Sequence, residues 1–426
     1  MSMKLLAVGD LHLGRLPTRL PESLGLPLQE LAPAGVWDRI VDCALQERVS
    51  AVLLAGDIVE SDDDFFEALP RLRVGIQRLS DAGIRVLGIS GNHDGEVLPS
   101  LAEQLPAFEL IGAGGNWQSI TLTDGGESVD LWGWSFPAIH YDANPLSAFP
   151  GRQDSRLTLG LLHCDRDQAG SRYAPVTGAD LKDTGLDAWL LGHIHQPDTL
   201  GLDQPIGYLG TASPLDASET GPRGPWLITI ANGRLTDWRH CLLAALRWER
   251  LDVDLTGVDE RSGVDGRLVE ALERLAGELT VTPAQPRAVG LRLRYTGTSD
   301  IVSDQLPAAL GREAVSGLPG AEHIAAFVES TTVDLRPRID LATLAEREDH
   351  PGLLARRLLI LERSAEDPER QALIDSAVTH VRTLADNSQW RRLGTPPEGS
   401  TEVAGQLCQA GQDALRAMLN QQADTE

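Results

Sequence analysis

Lysine is nearly missing: Lys4 and Lys182 are the only two among 37 cationic side chains, so arginine carries almost all the positive charge. Against 62 Asp and Glu, the formal net charge is −25. A protein that grips nucleic acid unaided presents a basic face, because phosphate neutralisation supplies most of the affinity. This charge balance excludes that mode and leaves a shared binding partner or a small substrate. Cysteine is scarce as well. Cys43, Cys164, Cys241 and Cys408 show no paired spacing, which excludes a disulfide framework or a thiolate zinc site. Apolar runs are short. None approaches the length that spans a bilayer, and the first, Leu5 to Val8, stops before Asp10 and is too brief for a signal peptide. A cytoplasmic protein without a membrane partner is expected. No P-loop and no strand–nucleophile elbow occurs, which removes nucleotide triphosphatase and covalent serine or cysteine chemistry.

What is present is a repeated pattern: an apolar run, then glycine or a polar residue, then a metal-type donor. It occurs at Leu5–His12, Ala51–Asp57, Val86–Asp94, Leu157–His163 and Trp189–His195. Apolar runs of four to six residues bounded by glycine read as strands buried on both faces, as in a sheet covered by helices. Each run is therefore expected to deliver its polar residue to the carboxyl edge of one sheet, where open α/β sheets place their chemistry. Five of the ten histidines (His12, His93, His163, His193, His195) fall in these stretches, which random placement does not produce. With Asp10, Asp57 and Asn92 they offer mixed nitrogen and oxygen donors, suited to Mn²⁺, Fe or Zn²⁺. Each motif alone also reads as a turn. Their joint order after separate strands does not.

The series Asp-x-His, Gly-Asp, Gly-Asn-His-Asp, His, Gly-His-x-His resembles the calcineurin-like metallophosphoesterases over about residues 1–240. Tyr208–Pro214, Gly221–Trp226 and the long region that follows are similar to the nuclease subunit of SbcCD-type DNA repair complexes and to YhaO-like exonucleases. The resemblance implies two divalent ions, Mn²⁺ foremost, with Asp10, His12, Asp57 and His195 on one and Asp57, Asn92, His163 and His193 on the other. Such a pair clamps a phosphoryl group and makes hydroxide available at neutral pH. The resemblance also implies His93 as the catalytic proton donor, a role suited to an imidazole, with Asp94 fixing its ring. Arg172 and His140 are candidate substrate contacts, each also readable as a solvated loop residue. One departure stands out: Glu60 occupies a position where the family has a phosphate-contacting histidine, and a carboxylate there repels a phosphodiester.

The fold class implied is α/β, a two-sheet metallophosphoesterase sandwich flanked by helices, with a smaller α+β capping domain and a C-terminal helical segment. The expected boundaries are 1–246, 247–340 and 341–426. The resemblance implies DNA as substrate, an SMC-like (SbcC- or YhaN-like) ATPase subunit docking on the C-terminal helices, and a homodimer. The function expected is a DNA nuclease subunit acting in repair. A phosphoesterase for a small phosphodiester such as a cyclic nucleotide, and a silent scaffold of an ATPase complex, are the alternatives. Trp132 and Trp134 are expected to pack in the protein interior.

Overall fold

The five donor-bearing runs divide between two sheets, not one. The computed structural model describes residues 2–281, 284–301, 306, 315–336, 338–385 and 400–423. In chain order the first elements are β1 (Met3–Val8), α1 (Leu28–Leu31), α2 (Pro33–Glu47), β2 (Ala51–Ala55), α3 (Phe65–Asp81), β3 (Arg85–Ile89), α4 (Val97–Glu103) and β4 (Phe108–Leu110). They are followed by β5 (Trp117–Asp124), β6 (Glu127–Trp134), β7 (Thr158–His163), α5 (Gly178–Asp183), β8 (Ala188–Gly192), β9 (Ile206–Tyr208), β10 (Trp226–Ala231) and β11 (Arg234–His240). One sheet has the order β11-β10-β1-β2-β3-β4 and the other β5-β6-β7-β8-β9. The strands β1 to β4 are mutually parallel, as are β6 to β9. A run buried on both faces carries no mark of which sheet it joins, and that is why one edge was expected where two meet.

Alternation along each strand builds the layers. Leu5, Ala7, Leu53, Ala55, Leu87 and Ile89 face Leu159, Leu161 and Leu190 of the second sheet in one apolar cluster. The intervening Leu6, Val8, Val52, Leu54 and Val86 pack on Val36, Trp37, Ile40, Leu72 and Ile76 of α2 and α3. A period of two on the strands thus meets a period near 3.6 on the helices. Pro33 opens α2 at its first turn, where a missing N–H costs nothing, and the helix begins three residues earlier than the apolar stripe from Val36 suggests. The outer face of the second sheet is covered by Trp132, Trp134, Phe136, Leu181 and Trp189. Both tryptophans of the β6 run are therefore interior.

The chain continues with β12 (Leu246–Asp254), α6 (Arg261–Thr280), β13 (Ala288–Thr298), β14 (Ser316–Leu318) and β15 (Ala321–Arg336). These form a separate sheet of order β12-β13-β15-β14, with β12 and β13 parallel. Leu275, Ala276 and Leu279 of α6 cover Val289, Leu291 and Ile324. The sequence pattern predicts a helix from Asp300 to Leu310 and a loop over Gly394–Gly399; the first lies largely and the second wholly outside the described residues. Contacts divide the chain into two units, 1–335 and 336–426. The second holds α7 (Leu341–Ala345), α8 (His350–Leu361), α9 (Pro368–Ala385) and α10 (Ser400–Ala423), packed through Ala355, Leu358, Leu361, Ile374 and Leu415.

Candidate metal centre

Asp10, His12, Asp57, Asn92, His163, His193 and His195 converge where the carboxyl ends of β1, β2 and β3 meet those of β7 and β8. Ligand atoms of Asp10, His12 and Asp57 lie within 4.8 Å of one another, as do those of Asp57, His163 and His193. Backbone bonds between loops hold the cluster together. Leu11 and His12 N–H both donate to the Asp57 carbonyl at 2.9 Å, and His193 N–H donates to Asp10 Oδ1 at 2.8 Å. Three of the converging residues, His12 (φ 50°), Asp57 (φ 46°) and His193 (φ 99°), sit in the left-handed region. Such conformations in non-glycine residues cluster at functional sites, where the surroundings must hold them. The glycines of the motifs make room. A Cβ on Gly91 would lie 2.2 Å from Asp57 Oδ1 and 2.7 Å from His163 Cε1, and one on Gly56 would lie 2.7 Å from His163 Nδ1.

Three imidazoles, His12, His163 and His193, have one nitrogen tied outward and the other turned toward oxygen. His163 Nδ1 meets the Ala55 carbonyl at 3.1 Å, while Nε2 faces Asn92 Oδ1 at 3.1 Å and Asp57 Oδ2 at 3.3 Å. His12 Nδ1 meets Glu60 Oε2 at 2.7 Å, while Nε2 points at Asp57 Oδ2 3.8 Å away. His193 lies between Asp165 Oδ1 at 3.2 Å and Asn92 Oδ1 at 3.0 Å. His195 Nδ1 is held by Glu219 Oε1 at 2.7 Å, and its ring centroid is 5.1 Å from that of His12. A neutral imidazole has a single N–H, so acceptors on both sides demand a second proton or a cation.

The electrostatics decide between these two. Burial alone would push the His163 ring down, but Asp57, Asp10 and the Ala55 carbonyl outweigh it and raise the ring to about 9. Burial, then the neighbouring His163 charge, lowers His193 to about 4, so His193 stays neutral near pH 7. Burial opposes ionisation of Asp57, yet His163, His12 and His93 prevail and hold its carboxylate below the usual range. Meanwhile Asp10 Oδ2 and His12 Nε2 are buried without any hydrogen-bond partner among the described residues, and an unpaired buried polar atom is costly. The residues fit divalent cations. Asp57 belongs to both ligand groups and would be shared, with Asp10, His12 and His195 on one side and Asn92, His163 and His193 on the other. Glu60, Glu219 and Asp165 are the outward carboxylates that fix ring orientation and raise ligand basicity.

His93 is exposed. Its Nδ1 bonds the Glu60 carbonyl at 2.9 Å, and its ring lies 5.0 Å from that of His12. The expectation that Asp94 fixes this ring is corrected. Asp94 instead accepts from the backbone N–H groups of Ile58 (2.6 Å), Val59 (3.3 Å) and Gly91 (2.7 Å), tying the β2 and β3 loops together. The Glu60 carboxylate is engaged by His12 at 2.7 Å and by Arg15 at 2.9 Å. Arg172 makes an exposed ion pair with Asp142 at 3.7 Å. His140 stacks on Tyr173 at 5.5 Å, and Tyr173 in turn lies 5.0 Å from the His193 ring. Arg223, 2% exposed, was not singled out by the sequence. Its guanidinium donates to the His195 carbonyl and to Gln196 Oε1, and so staples the Gly-His-Ile-His loop.

Two outcomes follow. In the metal-free site His163 holds an extra proton below about pH 9, and a cation must displace it. Mn²⁺ affinity should therefore rise with pH between about 6 and 8, by up to about tenfold per unit. Titration calorimetry in buffers of different ionisation enthalpy should register the released proton, and a pH-independent affinity would contradict the assignment. Replacing the His195 orienter, Glu219→Gln, should weaken binding of the cation that His195 would hold by about 10–100-fold. Unchanged binding of both ions in the same calorimetry would remove Glu219 from the site.

The calcineurin-like phosphoesterase family model matches residues 3–197. The uncharacterized metallophosphoesterase YhaO of Bacillus subtilis is 28% identical over 245 residues, covering 56% of this chain and 59% of that protein. The DNA double-strand break repair protein Mre11 of Haloferax volcanii is 28% identical over 302 residues, covering 66% of this chain and 63% of that protein. The chain thus spans about three fifths of the length of these relatives. A solved dimetal phosphatase from Danio rerio aligns with 56% of this chain and 96% of its own at 12% identity and a TM-score of 0.36. The matched segment contains all seven converging residues, and residues 3–197 are a calcineurin-like phosphoesterase domain of the metallophosphoesterase superfamily.

Proposed function

We propose that the chain is a two-metal phosphodiesterase acting on DNA, a nuclease subunit in DNA repair that uses Mn²⁺. The observation that carries the reading is Asp57, shared by two donor groups beside which Asp10 Oδ2 and His12 Nε2 are buried without a hydrogen-bond partner among the described residues. Two bound divalent cations would supply Lewis acidity and a nucleophile at neutral pH. The protein groups then orient and transfer protons. With Nδ1 committed to the Glu60 carbonyl, Nε2 is the His93 nitrogen left to pass a proton to the leaving oxygen. Its ring lines a cavity of about 290 Å³ together with Asn92, Ser61, Glu60, Glu96, Ile139 and Tyr173. Similarity to Mre11, a DNA double-strand break repair protein, supports DNA as substrate. For a partner, the second unit offers an apolar groove of about 440 Å³ lined by Leu354, Leu358, Leu361, Leu373, Ala377 and Leu407, suited to a helix of an SMC-like ATPase. Homodimers of the chain and cytoplasmic residence belong to the same reading.

One observation favours a small phosphodiester instead. The cavity beside His93 contains Glu60 and Glu96 and, among the described residues lining it, no arginine or lysine. The two readings separate in one assay of the purified chain with Mn²⁺ on linear duplex DNA, single-stranded ends and bis-p-nitrophenyl phosphate, with and without the ATPase. Hydrolysis of DNA is expected, with Asp57→Ala inactive on every substrate. Activity on the small ester alone, in all conditions, would establish the second reading. His93→Ala should lower kcat by about 10²–10⁴-fold on a deoxyribose leaving group and much less on p-nitrophenolate, which needs no proton. Equal losses on both would take the proton donor's role from His93.

A further inference from the structure

Cysteine spacing suggests no pairing, yet the fold sets Cys43 against Cys241. Arg39, Cys43 and Glu47 form one edge of α2 at successive i, i+4 positions, running opposite Leu243, Cys241 and Arg239 at the end of β11. The outer rungs are hydrogen bonds: Arg39 Nη1 to the Leu243 carbonyl at 2.9 Å, and Arg239 Nη2 to Glu47 Oε1. The middle rung is the two thiols. Cys241, 6% exposed, belongs to the apolar cluster against which half-buried Cys43 packs, and the two thiols are close enough for each to shift the other's proton affinity. The neighbouring Cys43 thiol first, then the Arg239 guanidinium, overcomes burial and lowers the Cys241 thiol from its ordinary value, while Cys241 and burial push the Cys43 thiol up. Thiolate character beside a second thiol is the condition for exchange. The other two cysteines differ: Cys164 is fully buried and its thiol is pushed up by burial, and Cys408 belongs to the second unit.

We propose that Cys43 and Cys241 form a reversible thiol–disulfide site, oxidised by small disulfides, that staples α2 to the chain leaving β11. The two thiols lose two protons and two electrons as the Cys43 Sγ–Cys241 Sγ bond forms. The S–S bond of the small disulfide breaks, takes up both, and leaves as two thiols. The stapled segment also backs the metal centre. Cys241 N–H donates to the Pro225 carbonyl at 2.8 Å and Leu243 N–H to the Arg223 carbonyl at 3.1 Å, and Arg223 holds the His195 carbonyl.

The test is thiol mapping on the full chain. Protein is incubated folded with oxidised or reduced glutathione, then denatured, alkylated and digested. The oxidised sample is expected to yield a Cys43–Cys241 cross-linked peptide two hydrogens lighter than its parts, with Cys164 and Cys408 alkylated, and to melt at a higher midpoint than the reduced sample. Dithiothreitol should reverse both changes. Cys43→Ser, whose folding is checked by its melting curve under reducing conditions, should lose the cross-link and the oxidation-dependent shift. Full alkylation of all four cysteines after oxidation, glutathione adducts without a cross-link, or an undiminished shift in Cys43→Ser would overturn the proposal.

Discussion

Four histidines each place one ring nitrogen against a carbonyl or carboxylate that lies outside the cluster, and the rest of the site follows from that constraint. A committed Nδ1–H on His12 leaves Nε2 as a lone pair buried beside Asp57, and the Ala55 carbonyl does the same to His163. Lone pairs of imidazole and carboxylate gathered within a few ångströms repel unless positive charge lies among them. One extra proton, on His163, relieves part of this. Low basicity at His193 and the two partnerless atoms, Asp10 Oδ2 and His12 Nε2, leave the remainder to cations.

The two-sheet sandwich makes that crowding possible. His163 shares the inward parity of Leu159 and Leu161 on β7, so its side chain enters the space between the sheets, where β2 ends at Ala55. From the other sheet, the loops after β1 and β2 turn back through left-handed residues at His12 and Asp57, and the loop after β3 adds Asn92. Asp94 closes these loops by accepting three backbone hydrogen bonds while fully buried. The core below supplies rigidity, because side chains on packed strands have little freedom to drift from the positions ligands require.

The convergence of these donor side chains was legible in the sequence because each follows its own buried strand directly, so a local pattern marks it. Their orienting partners were not. Glu60 reads as a repulsive surface acid until the fold brings His12, 48 positions away, onto it. Glu219 and Asp165 look like any solvated carboxylate in one dimension, and Arg223 like a turn residue. Asp94 was misread for a related reason: adjacency to His93 suggested a side-chain partner, whereas its neighbours in space are backbone N–H groups of the preceding loop. The division of strands between sheets was hidden because doubly buried runs share one composition. The Cys43 and Cys241 pairing arises from a helix edge meeting a strand end 198 residues later, which no spacing rule registers.

Strong negative charge and a cation-demanding centre are compatible: the centre concentrates carboxylates and lone pairs at one rim, and bound divalent ions reverse the local sign where a phosphate would arrive. Anomalous diffraction from crystals of the chain grown with Mn²⁺ tests this most directly. Two manganese peaks are expected, one beside Asp10 and His12 and the other beside His163 and His193, with Asp57 common to both. A centre with no peak, or a single ion that leaves Asp10 and His12 unligated, would contradict it.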